Sequence, residues 1–334
     1  MLGDPMATRR CMSMETSDGK PCENEVDVGS AFCGAGHLCV SPPGSHAPLA
    51  PTSAPSDPRP VEDILAVSGG GTDRLVMMSP SAADDGGFVA MADVTRAAGL
   101  AEMGADYRLL GGIAVMLHIL RLGIDVPLRR TGDADFGVPP HVLKSGRLVE
   151  ELEAMGYKKT TGCTWERVLD ERRTASTDLL IHAYTSRPRV NKRIDSNGTT
   201  VVTTEVPGLA ETLRRAPVRL PVRFVLSDRR AIETEVLLPD AVGMLLLKAG
   251  ARKVRNEERD STDLWRCLEV AAAEGVTSSD LPTDPVIGDL GAVLRQELRR
   301  GGRSIPAITK ELTPTAAGRI ETRIQALLLR VTGS

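Results

Sequence analysis

Aromatic side chains are scarce in this chain: Phe, Trp and Tyr together make up 3% of its 334 residues. Its core must therefore be filled mostly by Leu, Val, Ile and Ala. The chain also lacks a strong charge of either sign, because its formal net charge is only −3. This balance argues against a protein that binds nucleic acid indiscriminately through its overall charge. The length allows one large domain with a small appendage, or two modest domains.

Long apolar runs are missing as well. The longest nearly continuous one, residues 109–120, is bounded by Arg108 and Arg121, whereas a transmembrane helix needs about 20 apolar residues. The chain does not open with the charged and then apolar pattern of a signal segment. We therefore expect a cytoplasmic protein without a membrane partner, in which cysteines more often bind metal than form disulfides.

The composition divides the chain into four parts. Residues 1–40 contain four of the six cysteines. Residues 41–60 are so rich in Pro, Ser and Ala that we expect an extended linker. Strand patterns dominate residues 61–235, and helix patterns dominate residues 236–334. The sequence thus predicts an α/β fold in which a mixed-sheet core is followed by a helical C-terminal region.

Periodic patterns predict the individual elements of these last two parts. Strands are expected at 107–110, 131–138, 165–169, 177–183, 199–204 and 223–226. Helices are expected at 113–122, 142–155, 240–254, 260–273 and 286–299. A last helix follows Thr313, with Pro314 in its first turn.

Two aspartates, Asp133 and Asp135, alternate in the predicted strand TGDADFGV. Side chains at alternate positions point to the same face, about 6.6 Å apart along the strand. Two carboxylates held in this way repel each other unless cations lie between them, and a pair of Mg²⁺ ions suits the spacing. Oxygen-only ligands favour Mg²⁺ or Mn²⁺ over zinc. Asp178 either completes a three-carboxylate cluster from a neighbouring strand or is a solvated aspartate at a strand edge.

The pair Gly111–Gly112 lies between a predicted strand and a predicted helix. Without side chains, such a turn lets phosphate oxygens approach the backbone, and the following helix offers free N–H groups and the positive end of its dipole. The alternative is a tight turn that needs glycine for its backbone conformation alone.

Lys248 and Arg252 lie on an apolar stripe of the predicted helix 240–254. A lysine on such a stripe needs a partner or an anionic ligand, because burial of an unpaired charge is costly. Asp263 lies on the next predicted helix. Two interpretations remain open: an ion pair between Lys248 and Asp263 joins the helices, or Lys248 grips a triphosphate while Asp263 positions the acceptor or that lysine. Arg252 is a further phosphate candidate.

These motifs together resemble the signature of AbiEii-type nucleotidyltransferases, within the DNA polymerase β superfamily. The segment YRLLGGIAVMLHILRLGIDVPLRRTGDADFGV is similar to the family pattern G-G-x-A-x-x-x-H followed by R-x-T-x-D-x-D. Lys248 with Arg259, Asp260 and Asp263 is similar to its second block, K-x(10)-R-D-x-x-D. The MenT-type toxins of mycobacteria share this plan. The resemblance covers roughly residues 90–275.

The resemblance implies a toxin of a toxin–antitoxin or phage-defence pair that transfers a nucleotide from an NTP, in known cases to the acceptor end of tRNA. It implies Mg²⁺ or Mn²⁺ as cofactor and a cognate antitoxin as partner. Carried over by motif position, the metal ligands are Asp133 and Asp135. The nucleotide-binding residues are Gly111, Gly112, Thr131 and Lys248. The catalytic residues are Asp133, Asp135, Lys248 and Asp263. His118 matches the family histidine, although an apolar helix is also typical of a core histidine. Ile113 stands where many superfamily members have Ser or Thr.

The N-terminal cysteines indicate a second metal site. Cys11, Cys22, Cys33 and His37 are spaced as C-x(10)-C-x(10)-C-x(3)-H, with Cys39 as the substitute for His37. The segment has almost no apolar core, so a tetrahedral Zn²⁺ could supply its folding energy. The pattern resembles small treble-type knuckles of bacterial proteins. The alternative is a tail with scattered thiols.

Two further functions compete with NTP transfer to RNA. One is transfer of a nucleotide to a small molecule. The other is a non-catalytic, zinc-containing nucleic-acid-binding protein that uses the zinc segment and the arginine-rich residues 295–334. The acid pair argues against the second, because a domain that only binds nucleic acid does not need clustered carboxylates.

Overall fold

Strands and helices alternate through most of the chain in a mixed α/β architecture. A computed structural model describes residues 8–10, 25–27, 74–79, 81–129, 131–183, 187–255 and 257–333. The predicted zinc ligands Cys11, Cys22, Cys33, His37 and Cys39 lie outside the described residues, as does the predicted linker 41–60.

The strands, in chain order, are β1 (Thr8–Arg10), β2 (Glu25–Asp27), β3 (Leu75–Met78), β4 (Arg108–Leu109), β5 (Asp133–Val138), β6 (Lys158–Lys159), β7 (Thr164–Val168), β8 (Thr174–His182), β9 (Lys192–Ser196), β10 (Thr199–Val206), β11 (Val218–Val225), β12 (Ala231–Leu238), β13 (Thr283–Asp284) and β14 (Gly288–Asp289). The α-helices are α1 (Ala82–Leu100), α2 (Gly111–Arg121), α3 (Pro140–Ser145), α4 (Arg147–Ala154), α5 (Leu209–Arg214), α6 (Ala241–Val254), α7 (Glu258–Ala273), α8 (Leu290–Leu298), α9 (Ile305–Thr309) and α10 (Pro314–Thr332).

A seven-stranded mixed sheet carries the candidate site. Its path is β4-β5-β8-β10-β9, with β7 paired to β8 and β6 paired to β7. The long strand β8 runs parallel to β5 on one side. On its other side it pairs with β7 over its first half and with β10 at its end. The two predicted strands that carry the acids are therefore neighbours, as a shared site requires.

The two faces of this sheet differ in burial. On β5 and β8 the buried residues include Ala134, Phe136, Ala175 and Leu179, whereas the alternating residues other than Gly137 are half-buried or exposed. Helix α1 packs on the buried face, where a Cβ on Gly86 would collide with the carbonyl oxygen of Thr174. The opposite face is consequently left open for polar side chains.

A second sheet, ordered β12-β11-β3, lies next to α1. The rings of Phe88 on α1 and Phe224 on β11 stack with their centroids 4.4 Å apart. This contact ties the second sheet to the helix that supports the first. The sequence did not predict α1, β3 or β12.

Two predicted helices differ from the structure. The helix predicted over 286–299 begins only at Leu290, after strand β14. The sequence predicted a single helix over 142–155, whereas α3 and α4 are separate helices that meet at Gly146. Gly146 has φ +78°, a left-handed conformation that ends α3 and that glycine adopts without strain.

The last part of the chain is mostly helical, as predicted. Its core includes Leu245, Leu268, Leu294 and Ile324, and it is shared with Val115 and Ile119 of α2. Helix α6 is capped by Asp240, whose carboxylate accepts a hydrogen bond from the Gly243 amide. Within the described residues, no helix is both long enough and apolar enough to span a bilayer.

Candidate active site

The strand register brings the three predicted acids onto one open face. Asp135 on β5 lies directly opposite Asp178 on β8, and Asp133 lies opposite Ser176. Since neighbours in register share a face, and residues two apart on a strand do so too, all three carboxylates emerge on the same side of the sheet. The alternation of Asp133 and Asp135 predicted the shared face of those two acids, and the register adds Asp178, whose position the sequence left open.

Hydroxyl groups hold the two outer acids. Thr131 donates a hydrogen bond to Oδ1 of the exposed Asp133. Thr164 on β7 donates to Oδ1 of Asp178 over 2.6 Å. Each bond occupies one of the two oxygens of its carboxylate. Thr131, predicted to bind nucleotide, thus lies at the site and orients an acid.

Asp135 has an unusual electrostatic environment. Burial raises its pKa, and the neighbouring carboxylates Asp133 and Asp178 raise it further, while Lys248 and Arg255 lower it; the result is a pKa of about 7. A second or third negative charge on this face is therefore costly. A divalent cation would relieve that repulsion, because it would neutralise the carboxylates together.

Gly111 fits beneath the carboxylate of Asp135. A Cβ on Gly111 would collide with Oδ2 of Asp135, and Gly111 also has φ +68°. Glycine is needed here for both reasons. The Leu110 amide donates to the Asp135 carbonyl over 2.7 Å, which fixes the turn to β5.

The turn leads directly into α2, whose N-terminus has no side-chain cap. The first N–H groups of the helix therefore lack intrahelical partners and, with the helix dipole, attract anions. Above Gly112, Nη2 of Arg129 lies 2.6 Å from the position that a Cβ would occupy. The glycine turn thus has the acids on one side and a guanidinium on the other.

A cluster of positive charges surrounds Asp263 on α7. Its Oδ2 lies 2.7 Å from Nζ of Lys248 and 3.6 Å from Nη2 of Arg129, and its Oδ1 lies 2.9 Å from Nη1 of Arg266. Burial alone raises the pKa of Asp263, but these three cations lower it below its ordinary value. The carboxylate is therefore ionised, and the cluster keeps a surplus of positive charge.

The ion pair between Lys248 and Asp263 joins α6 to α7. Their side chains are only 8% and 2% exposed, respectively. The structural interpretation of this pair is thus confirmed. The assignment of Lys248 to phosphate and of Asp263 to catalysis stays a prediction.

Arg252 is placed differently from its prediction. It shares the apolar stripe of α6 with Lys248. However, its Nη2 donates to Oε2 of Glu297 on α8 over 3.1 Å, and its Nη1 donates to the Glu257 carbonyl. Ser304 donates to the same Glu297 oxygen over 2.8 Å. The buried Glu297 carboxylate therefore pairs with the Arg252 guanidinium inside the helical region, and this pairing argues against a role for Arg252 in nucleotide binding.

His118 is a core residue. It is fully buried; its Nε2 donates to the Pro239 carbonyl over 2.8 Å, and Nδ1 accepts from Arg121. Burial and the charge of Arg121 lower its pKa to about 3. The histidine is neutral, and both of its ring nitrogens have partners.

Sequence reasoning singled out neither Arg129, Arg266 nor Thr164. Arg266 follows Asp263 by three residues, a spacing that brings side chains together on a helix, so it could have been found. Arg129 belongs to the R-x-T-x-D-x-D pattern, but its position over the glycine turn depends on tertiary structure. Thr164 pairs with Asp178 only through the strand register.

The donor set suits a hard divalent cation that the protein coordinates only in part. Within the residues that the structure describes, no group of three or more His, Cys, Asp or Glu side chains forms a metal site on its own. Mg²⁺ commonly binds through one or two carboxylates together with water and substrate phosphates. Asp133 and Asp135 supply such a pair, and Asp178 as a third ligand stays a prediction.

No protein-family model matches the chain, and no curated protein sequence matches it. The motif resemblance therefore depends on the residues and geometry described above.

Proposed function

We propose that the chain is a metal-dependent nucleotidyltransferase that transfers a nucleotide from an NTP to an acceptor hydroxyl. The acceptor oxygen would lose its proton to solvent and attack the α-phosphorus, and the bond to the β-phosphate would break with release of pyrophosphate. The observation that carries the proposal is the division of one site into two charged halves. Asp133 and Asp135 lie on one side of the Gly111 turn, and the cations around Asp263 lie on the other. Carboxylates suit the metal ions of an NTP complex, and cations with helix N–H groups suit its phosphates.

Phosphoryl transfer needs positioning and charge neutralisation more than covalent chemistry. Asp133 and Asp135 would hold Mg²⁺ or Mn²⁺, which supplies neutralisation of the phosphates and a lowered pKa for the attacking hydroxyl. The glycine turn would receive the phosphate chain against the N-terminus of α2. Lys248, fixed by Asp263, would keep positive charge next to it. No covalent intermediate is required.

The acceptor would approach over the open face of the sheet. Asp133 is exposed, and the neighbouring Asp178, Ser176 and Thr164 are half-buried. Asp133 and Asp135 are therefore accessible to an acceptor hydroxyl from this face. In accord with the resemblance, the proposal includes the acceptor end of tRNA as acceptor and toxicity restrained by a cognate antitoxin.

Incubation of the protein with α-labelled NTPs, Mg²⁺ and total tRNA tests the proposal. We expect label on RNA from the wild type and none from Asp133→Asn, which keeps the side-chain shape but removes the charge. Glu153→Ala, an exposed position on α4, is the control and should match the wild type. Label on a small molecule would replace RNA as acceptor and keep the chemistry. RNA binding without transfer to any acceptor would favour the non-catalytic alternative.

A further inference from the structure

The charges around Asp263 do not balance. Lys248, Arg266 and Arg129 surround a single carboxylate. Lys248 and Arg266 are almost fully buried, with side-chain exposures of 8% and 7%. Positive charge in such surroundings is costly unless an anion compensates for it. Lys248 also acts on Asp135, whose pKa it lowers, so part of the surplus faces that acid. The two arginines leave the cluster with more positive than negative charge beside the glycine turn.

Two of the three cations are already committed to protein partners. Lys248 bonds to Asp263 over 2.7 Å. Arg266 donates from Nη1 to Asp263 over 2.9 Å and from Nε to the Pro127 carbonyl over 2.8 Å. Neither can turn to a ligand without breaking a buried bond.

Arg129 is the available cation. Its side chain is 31% exposed, and its nearest carboxylate oxygen, on Asp263, is 3.6 Å away, beyond ordinary hydrogen-bond distance. Its Nε is buried and has no hydrogen-bond partner in the part of the chain that the structure describes. A guanidinium with unused donors is well suited to two-point contact with a phosphate.

Arg129 lies at the glycine turn, where the phosphate chain is proposed to enter. Nη2 lies directly above Gly112, at the entrance to α2. The residue after the turn, Ile113, is completely buried, so a side chain at that position faces the core and not the turn. The polar contact from above Gly112 therefore comes from Arg129.

We propose that Arg129 grips the terminal phosphates of the nucleoside triphosphate, while Lys248 remains paired with Asp263 and contributes its charge through space. This inference rests on the proposed function, because it concerns the same site. It makes Arg129 the residue that selects a triphosphate over a monophosphate. Lys at this position would keep the charge but lose the two-point geometry.

Equilibrium binding tests this assignment without any transfer reaction. ATP, GTP, CTP and UTP with Mg²⁺, the matching monophosphates and inorganic tripolyphosphate are titrated into the wild type, Arg129→Gln and Arg129→Lys. Arg147→Gln, at an exposed arginine on α4, is the control. We expect Arg129→Gln to weaken NTP and tripolyphosphate binding at least tenfold and monophosphate binding less than twofold. Arg129→Lys should recover only part of the loss.

The outcomes separate this inference from the proposal on which it rests. If the wild type binds NTP and Arg129→Gln binds it equally well, Arg129 does not grip the phosphates, and the nucleotidyltransferase proposal survives. If the wild type binds neither NTP nor tripolyphosphate, both fail. Should Arg129→Gln not fold, Arg129→Lys decides: a threefold or greater loss confined to the tri-phosphorylated ligands supports the inference, and unchanged affinity overturns it.

Discussion

Oδ2 of Asp135 occupies the space that a side chain on Gly111 would need. The turn that is proposed to receive phosphate and the acid that is proposed to hold metal are thus in direct contact. A change at the glycine must move the acid.

Gly111→Ala is therefore expected to abolish nucleotide transfer and metal-dependent NTP binding. A methyl group would displace the Asp135 carboxylate, and the left-handed backbone would add strain of about 1 kcal/mol. Gly104→Ala is a matched control, because Gly104 has φ +58° but nothing within 4 Å of an added Cβ. Both variants should lose stability in urea unfolding from the left-handed backbone, with a further loss in Gly111→Ala from the displaced carboxylate. Only Gly111→Ala should lose NTP binding. Equal loss of binding in both would show that the contact with Asp135 is unimportant.

Asp135→Asn should inactivate the protein and yet stabilise it in the absence of metal. The pKa of Asp135 is raised to about 7, so the folded wild type holds a proton that the unfolded chain releases from about pH 4 upward. Folding stability of the wild type therefore falls as pH rises from about 4 to 7. At pH 8 we expect Asp135→Asn to be more stable by about 1–2 kcal/mol, a discounted value because the residue as a whole is only half-buried and solvent screens the repulsion. Chemical unfolding at pH 5 and pH 8 in EDTA measures this, and an advantage that shrinks with pH would contradict it.

Removal of Asp263 should destabilise the protein more than removal of its partner Lys248. Asp263→Asn leaves three cations without their carboxylate, and we expect a loss of about 3–5 kcal/mol. Lys248→Met leaves Asp263 with Arg266 and Arg129, so its loss should be about 1–2 kcal/mol. Urea unfolding of the two variants measures the difference. A larger loss for Lys248→Met would show that the cluster around Asp263 carries no excess of positive charge.

His118 should make the fold sensitive to acid. Its pKa is lowered to about 3 by burial and Arg121, whereas in the unfolded chain it is about 6.5. Protons then bind the unfolded state preferentially, so stability is full above pH 6.5 and falls by up to about 1.4 kcal/mol per pH unit below it. Comparison of unfolding at pH 7 and pH 4.5 should show a smaller pH effect in His118→Gln than in the wild type. The exposed His141 is the control, and His141→Gln should leave the pH effect unchanged.

Local patterns were sufficient for the elements that carry the acids. Alternation in TGDADFGV predicted a strand with both carboxylates on one face, and the register with β8 then fixed Asp178 beside them. The glycine turn and the cap of α10, where the Thr313 side chain accepts from the Ala316 amide, also follow from short-range rules.

Contacts between distant segments explain what local patterns missed. Helix α1 contains Gly86 and Gly87, which disfavour a helix on propensity alone. Backbone atoms of Thr174 and Gly132 approach them closely, so the tertiary fold requires glycine there. Arg252 and Lys248 are equivalent by helical spacing, and only Glu297, far along the chain, distinguishes them.

The central claim is that Asp133 and Asp135 hold a divalent cation next to a triphosphate on the Gly111–Gly112 turn. A crystal structure with Mn²⁺ and a non-hydrolysable NTP analogue tests it most directly. The account predicts an anomalous Mn²⁺ signal at about 2.0–2.2 Å from oxygens of both acids, with phosphates against the start of α2 and Arg129. A nucleotide bound elsewhere, or Mn²⁺ that touches neither acid, would contradict it.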